Sequence, residues 1–304
     1  MSDGPAAIIG DVIKDELGVV VLTYGKGPSS FSLPADLRDA GIPEGRVINP
    51  HNPDGRPGAV RQPPGWRRLE SASNVGYAPA VNRAIQMHLD EGRRYVMVLT
   101  HDVHLPAGSL ARLVEAAQAG PRYGVLGPAL VRRGEGDAYS QGGVARKNGT
   151  FGHRPLQVDA APRPDVISAD WIDGCAMLLR AEALIDVGLF DERFFLYFED
   201  TEICGRMRRG GWSCGVVTDA TVETAPGGVR RAVAYQYFFS RNGVECALVS
   251  GGKLTAARAL LGRLRLAAVF AARAVSGNAR TAAALNRNGP RTFARAGRDM
   301  DGLR

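Results

Sequence analysis

Val19-Val20-Val21-Leu22-Thr23-Tyr24-Gly25 is the stretch that decides the fold. A short apolar run that breaks at a turn residue reads as a parallel strand buried on both faces, its carboxyl end opening into a loop. Ligands of open α/β sheets sit at such ends. Working outward, Arg46-Val47-Ile48 reads as a second strand, followed by the turn-rich Asn49-Pro50-His51-Asn52-Pro53-Asp54-Gly55. Leu69 then leads through Ser71-Ala72-Ser73-Asn74-Val75-Gly76 into a helix from about Ala78, with Pro79 in the first turn, where its missing amide is tolerated. Tyr95-Val96-Met97-Val98-Leu99 is the next strand, ending at Thr100-His101-Asp102-Val103, and residues 109–119 read as an amphipathic helix. Strand and helix alternate, which predicts an α/β fold built on a mostly parallel sheet. Glycine, proline and polar residues dominate 134–164, so long loops or a β-hairpin are expected there, at a boundary between halves at 19–133 and 134–250. Segments 171–180 and 190–197, a helix near 201–209 and a strand at 213–217 complete the second half, without any internal repeat.

The chain has 304 residues, 45% hydrophobic and 23% charged, enough to bury one large α/β core. Residues 1–18 mix apolar positions with Asp3, Asp11, Asp15 and Glu16, which is not the pattern of a secretory signal, and a cytoplasmic protein is expected. Cys175, Cys204, Cys214 and Cys246 are widely separated and read as free, mostly buried thiols. The net charge of +7 is concentrated in residues 253–304, where 11 basic residues face 2 acidic ones. The rest of the chain is slightly acidic, and no nucleic-acid-binding pattern accompanies the basic end.

Two clusters could carry chemistry. Asp102 follows an apolar strand, where a carboxylate can hold a divalent ion on two phosphates, or simply cap a turn. His101 and His104 beside it read as surface residues. Phe198-Glu199-Asp200-Thr201-Glu202 puts three carboxylates directly after an aromatic segment. Crowded and partly desolvated acids have raised pKa values, which suits a general base; acids at a helix start equally complement its dipole.

Taken in order, the segments form a pattern: Asn74-Val75-Gly76 with Asn82; the strand to Asp102; Asp170-Trp171-Ile172-Asp173-Gly174-Cys175-Ala176-Met177-Leu178-Leu179-Arg180; Val187-Gly188-Leu189-Phe190-Asp191-Glu192-Arg193-Phe194-Phe195; Glu199-Asp200; Gly211-Trp212; and Arg241-Asn242. This set resembles glycosyltransferase family 2, particularly its rhamnosyltransferase-like branch, over about residues 19–245.

The resemblance implies a GT-A-type, Rossmann-like fold in residues 1–250, with a basic helical extension at 251–304. It further implies inverting transfer of a sugar from a nucleoside diphosphate, dTDP-rhamnose or a UDP-sugar, to a hydroxyl of a glycan, a lipid-linked glycan or a small molecule. On that basis Thr23, Tyr24 and Asn49 belong to the nucleotide pocket, and Asn74, Gly76 and Asn82 shape the donor site. Asp102 would hold Mg²⁺ or Mn²⁺, Trp171 and Gly174 would floor the sugar site, and Arg241 would neutralise the leaving diphosphate. Asp200 would be the base, with Glu199 beside it. The chain departs from the family pattern at Asn49-Pro50, where an acid followed by Asn is usual, and at His101. It also has Glu223 where family members commonly carry a histidine, and glutamate remains a ligand for a hard cation.

In residues 254–275, Arg258, Arg265 and Arg273 project to one side of a helix and Leu260, Leu264, Ala267, Ala271 and Val275 to the other. Such a helix either lies on the inner face of an anionic membrane or packs on the catalytic domain, and arginines prevent it from spanning. A homodimer is left open. Two alternatives stand beside transfer: a nucleotide-sugar-binding relative without turnover, and a nucleotidyltransferase.

Overall fold

The structure is a computed structural model that describes residues 5–25, 32–55, 62–134, 138–146, 149–154, 165–224 and 233–275, with side chains in the last segment described for 236–265. The basic stretch beyond residue 275, and the Ala267, Ala271, Arg273 and Val275 side chains, lie outside the described residues. Chain contacts divide the protein into one unit of residues 1–145 and 152–226 and a second of 146–151 and 227–304.

In the first unit, helix α1 (Pro5–Asp11) precedes β1 (Leu17–Tyr24), α2 (Leu33–Asp39), β2 (Val47–Asn52), β3 (Arg67–Glu70) and α3 (Tyr77–Asp90). Then come β4 (Tyr95–Thr100), β5 (Val103–His104), α4 (Ser109–Ala119), β6 (Tyr123–Arg132) and the short strands β7 (Ala138–Ser140), β8 (Gly143–Ala145) and β9 (Phe151–His153). β10 (Val166–Ser168), β11 (Ala176–Arg180), α5 (Ala181–Val187), α6 (Glu199–Arg209) and β12 (Ser213–Thr224) complete it. One sheet runs in the order β10-β12-β6-β11-β4-β1-β2-β3, with β5 on β12 and β7 on β6.

β1, β2, β3 and β4 pair in parallel, and so do β6 and β12. Only β11 opposes this direction among the long strands, running antiparallel to both β4 and β6. The carboxyl ends of β1, β2, β4, β6 and β12 therefore share one edge. β1 leads outward to β2 and β3 before the chain returns to β4 on its other side, so the crevice between β1 and β4 is a topological switch point. Leu17 through Thr23 are all buried, as a central parallel strand requires. α3 covers the sheet with Ala78, Val81, Ala84, Ile85 and His88, and α4 with Leu110, Leu113 and Val114.

Three elements differ from the sequence reading. β2 continues through Asn49-Pro50-His51-Asn52 instead of turning, because β1 and β3 hold both its edges: Thr23 pairs with His51, Tyr24 with Asn52, and Pro50 with Leu69. β6 is a central strand that its Gly127-Pro128 step concealed. β12 runs past residue 217 to Thr224, across a register shift.

The second unit carries α7 (Val233–Val275), kinked at Gly252, where φ is 73°. No helix of the described residues is long and apolar enough to cross a membrane.

Candidate active site

Because β11 runs against its neighbours, the residues before it arrive at the edge where β1 and β4 end: Ala176 pairs with Leu99, and the Thr100 N–H donates to the Cys175 carbonyl at 3.0 Å. Beside them His101 N–H donates to Leu22 O at 3.0 Å, which sets Asp102 next to the end of β1. Burial pushes the Cys175 thiol well above its ordinary value, and the negative charges of Asp173, Asp102 and Asp200 push it further. Carboxylates from three separate parts of the chain thus bear on one side chain.

Asp200 stands in the first turn of α6 and is gripped from two sides. Its Oδ2 accepts the Gly174 N–H at 3.0 Å, and its Oδ1 accepts the Thr201 N–H at 2.6 Å and the Thr201 hydroxyl at 3.1 Å. These bonds favour the anion, but burial, reinforced by the charge of Asp173, outweighs them and raises its pKa to about 6. At neutral pH such a group is ionised yet a stronger base than an ordinary aspartate. Burial, and then the charge of Asp200, raise Glu199 well above its ordinary value. Its Oε2 finds no hydrogen-bond partner among the described residues.

The turn delivering this pair is strained. Tyr197 and Phe198 both adopt left-handed backbone conformations, φ 68° and 73°, costly for side chains of that size. The preceding segment is anchored to α3. Tyr77 N–H donates to Phe195 O at 2.8 Å, and Asn82 bonds the Phe190 carbonyl, the Phe190 N–H and Glu192 Oε1 at 2.9–3.0 Å. Tyr77 also donates its hydroxyl to Gly174 O at 2.6 Å, on the residue whose amide holds Asp200.

The sequence reading overlooked a second cluster beside the base. Ser140 donates its hydroxyl to Asp173 Oδ2 at 2.7 Å and lies 2.9 Å from His153 Nδ1, which is 3.5 Å from Asp173 Oδ1. The His153 ring packs edge-on against Trp171, with centroids 5.0 Å apart, and Trp171 Nε1 is buried without a partner among the described residues. Burial raises Asp173 to about 6. Asp173 stood inside the quoted 170–180 motif, whereas Ser140 and His153 lie in a glycine-rich stretch with no signal of their own.

The other expected residues are spread along this edge. Thr23 is buried, with its hydroxyl 3.0 Å from His51 Nδ1, and Tyr24 is exposed at the strand end. Asn49 is buried and gives its amide to Val21 O at 2.6 Å and Thr23 Oγ1 at 3.3 Å. Asn74 Oδ1 accepts the Gly76 N–H at 3.0 Å, and Asn52, also overlooked, clasps the same loop through Gly76 O and Val75 N. What approaches Gly76 most closely is protein: with φ at 92°, a Cβ there would sit 2.5 Å from Phe195 O. Glu223 pairs with Arg133 at 3.5 Å and stands opposite His104 in the β5–β12 ladder, two residues along the chain from Asp102. Arg241 lies on α7 of the second unit, bonded to Asn242 Oδ1 at 2.7 Å.

A switch-point sheet with a reversed strand that carries a loop to its carboxyl edge defines a GT-A-type fold. Among solved structures, the Pyrobaculum calidifontis mannosyltransferase PcManGT in complex with GDP-Man and Mn2+ superposes with a TM-score of 0.52 at 16% identity, over 90% of this chain and 79% of that one. GalNAc-T7 with UDP, GalNAc and Mn2+ gives 0.50 at 12% identity over 69% of this chain, which spans only 44% of that protein's chain. In sequence, the family description Glycosyl transferase family 2 matches residues 56–184. The N-acetylglucosaminyl-diphospho-decaprenol L-rhamnosyltransferase of Mycobacterium tuberculosis is 34% identical over 236 residues, 68% of this chain and 75% of that protein. The chain belongs to glycosyl transferase family 2 and is a glycosyltransferase, which sets aside the nucleotidyltransferase alternative.

Proposed function

We propose that this glycosyltransferase moves a sugar from a nucleoside diphosphate to an acceptor hydroxyl with inversion, Asp200 taking the hydroxyl proton. The observation that supports the reading is the Gly174-Cys175 step, whose Gly174 N–H holds Asp200 while its Cys175 carbonyl accepts the Thr100 N–H two residues before Asp102, so that an exposed acid and a half-buried acid of raised pKa belong to one neighbourhood. A single displacement needs that separation of roles: charge must be stabilised on the leaving diphosphate while a proton is removed from the incoming oxygen. Asp200 is held by Gly174 and Thr201 in one orientation, so it meets the hydroxyl without reorganising. Glu199, buried beside it with Oε2 unpartnered among the described residues, helps to orient the acceptor hydroxyl. Thr23, Tyr24 and the Asn74–Gly76 loop line the nucleotide side, and Trp171 and Gly174 floor the sugar.

A divalent cation would be held by the exposed Asp102, with Glu223, on β12 opposite His104, as a further oxygen ligand. Among the described residues no group of three or more His, Cys, Asp or Glu side chains could hold an ion, so diphosphate oxygens would have to supply the remaining ligands. When bound, the ion neutralises charge on the diphosphate. Mn²⁺ in the two structural neighbours favours this reading, and the mycobacterial relative favours rhamnose as the sugar and a lipid-linked acceptor.

The test is a panel of UDP-, dTDP- and GDP-sugars with Mg²⁺ or Mn²⁺, assayed for transfer to a polyprenyl-diphospho-sugar and for donor hydrolysis. Turnover that disappears in Asp200→Asn, with donor binding retained, is expected. A wild-type chain that binds a donor but never turns it over supports the non-catalytic alternative instead.

A further inference from the structure

The kinked helix α7 shows two different faces beyond Gly252. Ala256 and Ala259 are buried, and a Cβ on Gly149, in the 146–151 segment of the same unit, would sit 2.8 Å from Thr255 O and 3.2 Å from Ala259 Cβ. The alanine face is therefore the one that packs. Leu254, Leu261 and Leu264 point the other way, 64%, 55% and 56% exposed, with Leu260 at 47%. Ala256 and Ala259 can pack there because small side chains permit the close approach at Gly149; of the apolar face expected from the sequence, Leu260 and Leu264 are exposed, and the Ala267, Ala271 and Val275 side chains lie outside the described residues.

Spacings of seven and three residues align Leu254, Leu261 and Leu264 along one stripe of the helix. Lys253, Arg258 and Arg265 are exposed beside it, and residues 253–275 contain five basic and no acidic residues. We propose that this leucine face, bordered by cations, docks α7 on an anionic lipid surface. The helix would lie in the plane of the interface, its leucines among the acyl chains and its cations at the headgroups. A second copy of the chain is a poorer occupant: a two-fold contact would set Lys253, Arg258 and Arg265 against their own copies with no acid on the face to offset them. For its connection to a lipid-linked acceptor, this docking rests on the function proposed above, whereas the surface itself stands on the helix alone.

Co-sedimentation of the full chain with vesicles tests it. Binding is expected to phosphatidylcholine vesicles containing phosphatidylglycerol, weakened by salt, and not to phosphatidylcholine alone. Leu254→Gln/Leu261→Gln/Leu264→Gln is expected to lower the partition coefficient about tenfold or more, with an unchanged melting temperature because these side chains are exposed. Equal binding by wild type and triple variant, equal binding to neutral and anionic vesicles, or no binding at all would overturn the proposal. So would a dimer seen by light scattering that the triple variant abolishes, since the occupant would then be a second copy. Vesicle binding requires no turnover, so failure here and failure of the transferase reading are separate results.

Discussion

Replacing Asp173 with Asn tests the electrostatics beside the candidate base in a single chain. Burial raises Asp173 from 3.8 to about 6, which at about 1.36 kcal/mol per pKa unit amounts to roughly 3 kcal/mol. Between those two values the folded chain holds a proton at Asp173 that the unfolded chain has lost. Stability therefore falls as pH rises through this window and is flat above it. The substituted amide carries no charge at any pH, and its oxygen still accepts the Ser140 hydroxyl. The stability of the variant relative to wild type is expected to climb across the window, by up to about 3 kcal/mol at pH 8 compared with pH 4. Urea unfolding of both chains at several pH values measures it. The substitution also removes the leading charge that raises Asp200, so the acid limb of kcat/KM is expected to move to lower pH. A stability difference that stays constant with pH, together with an unmoved acid limb, would refute the reasoning.

Gly76→Ala forces a side chain into a glycine-only conformation and onto Phe195 O, so a loss of about 2–4 kcal/mol in urea unfolding is expected. Stability within about 0.5 kcal/mol of wild type would mean that the loop relaxes freely. Asp200→Asn is expected to cut kcat by about 10²–10⁴-fold, while the nucleoside diphosphate that raises the wild-type melting temperature still does so. Asp102→Asn is expected to weaken Mn²⁺-dependent nucleotide binding about tenfold or more by calorimetry; unchanged affinity with and without Mn²⁺ would remove Asp102 from that role.

Much of the architecture was legible because its signals are local. Continuous apolar runs at β1 and β4, and the 109–119 periodicity realised as α4, follow from side-chain chemistry alone. The ordered motifs from Asp170 to Trp212 likewise pointed to the family. The β2 extension was hidden because Asn49, Pro50 and Asn52 are turn formers whose extended backbone is imposed by neighbours on both sides. Tertiary structure alone decided what surrounds Asp200. Ser140 and His153 reach Asp173 from a glycine-rich stretch, Tyr77 reaches Gly174 from a helix 97 positions away, and Gly76 is required by Phe195. A sequence can supply an acid, but its basicity depends on desolvation and on charges brought near it through space, and those exist only once the chain has folded.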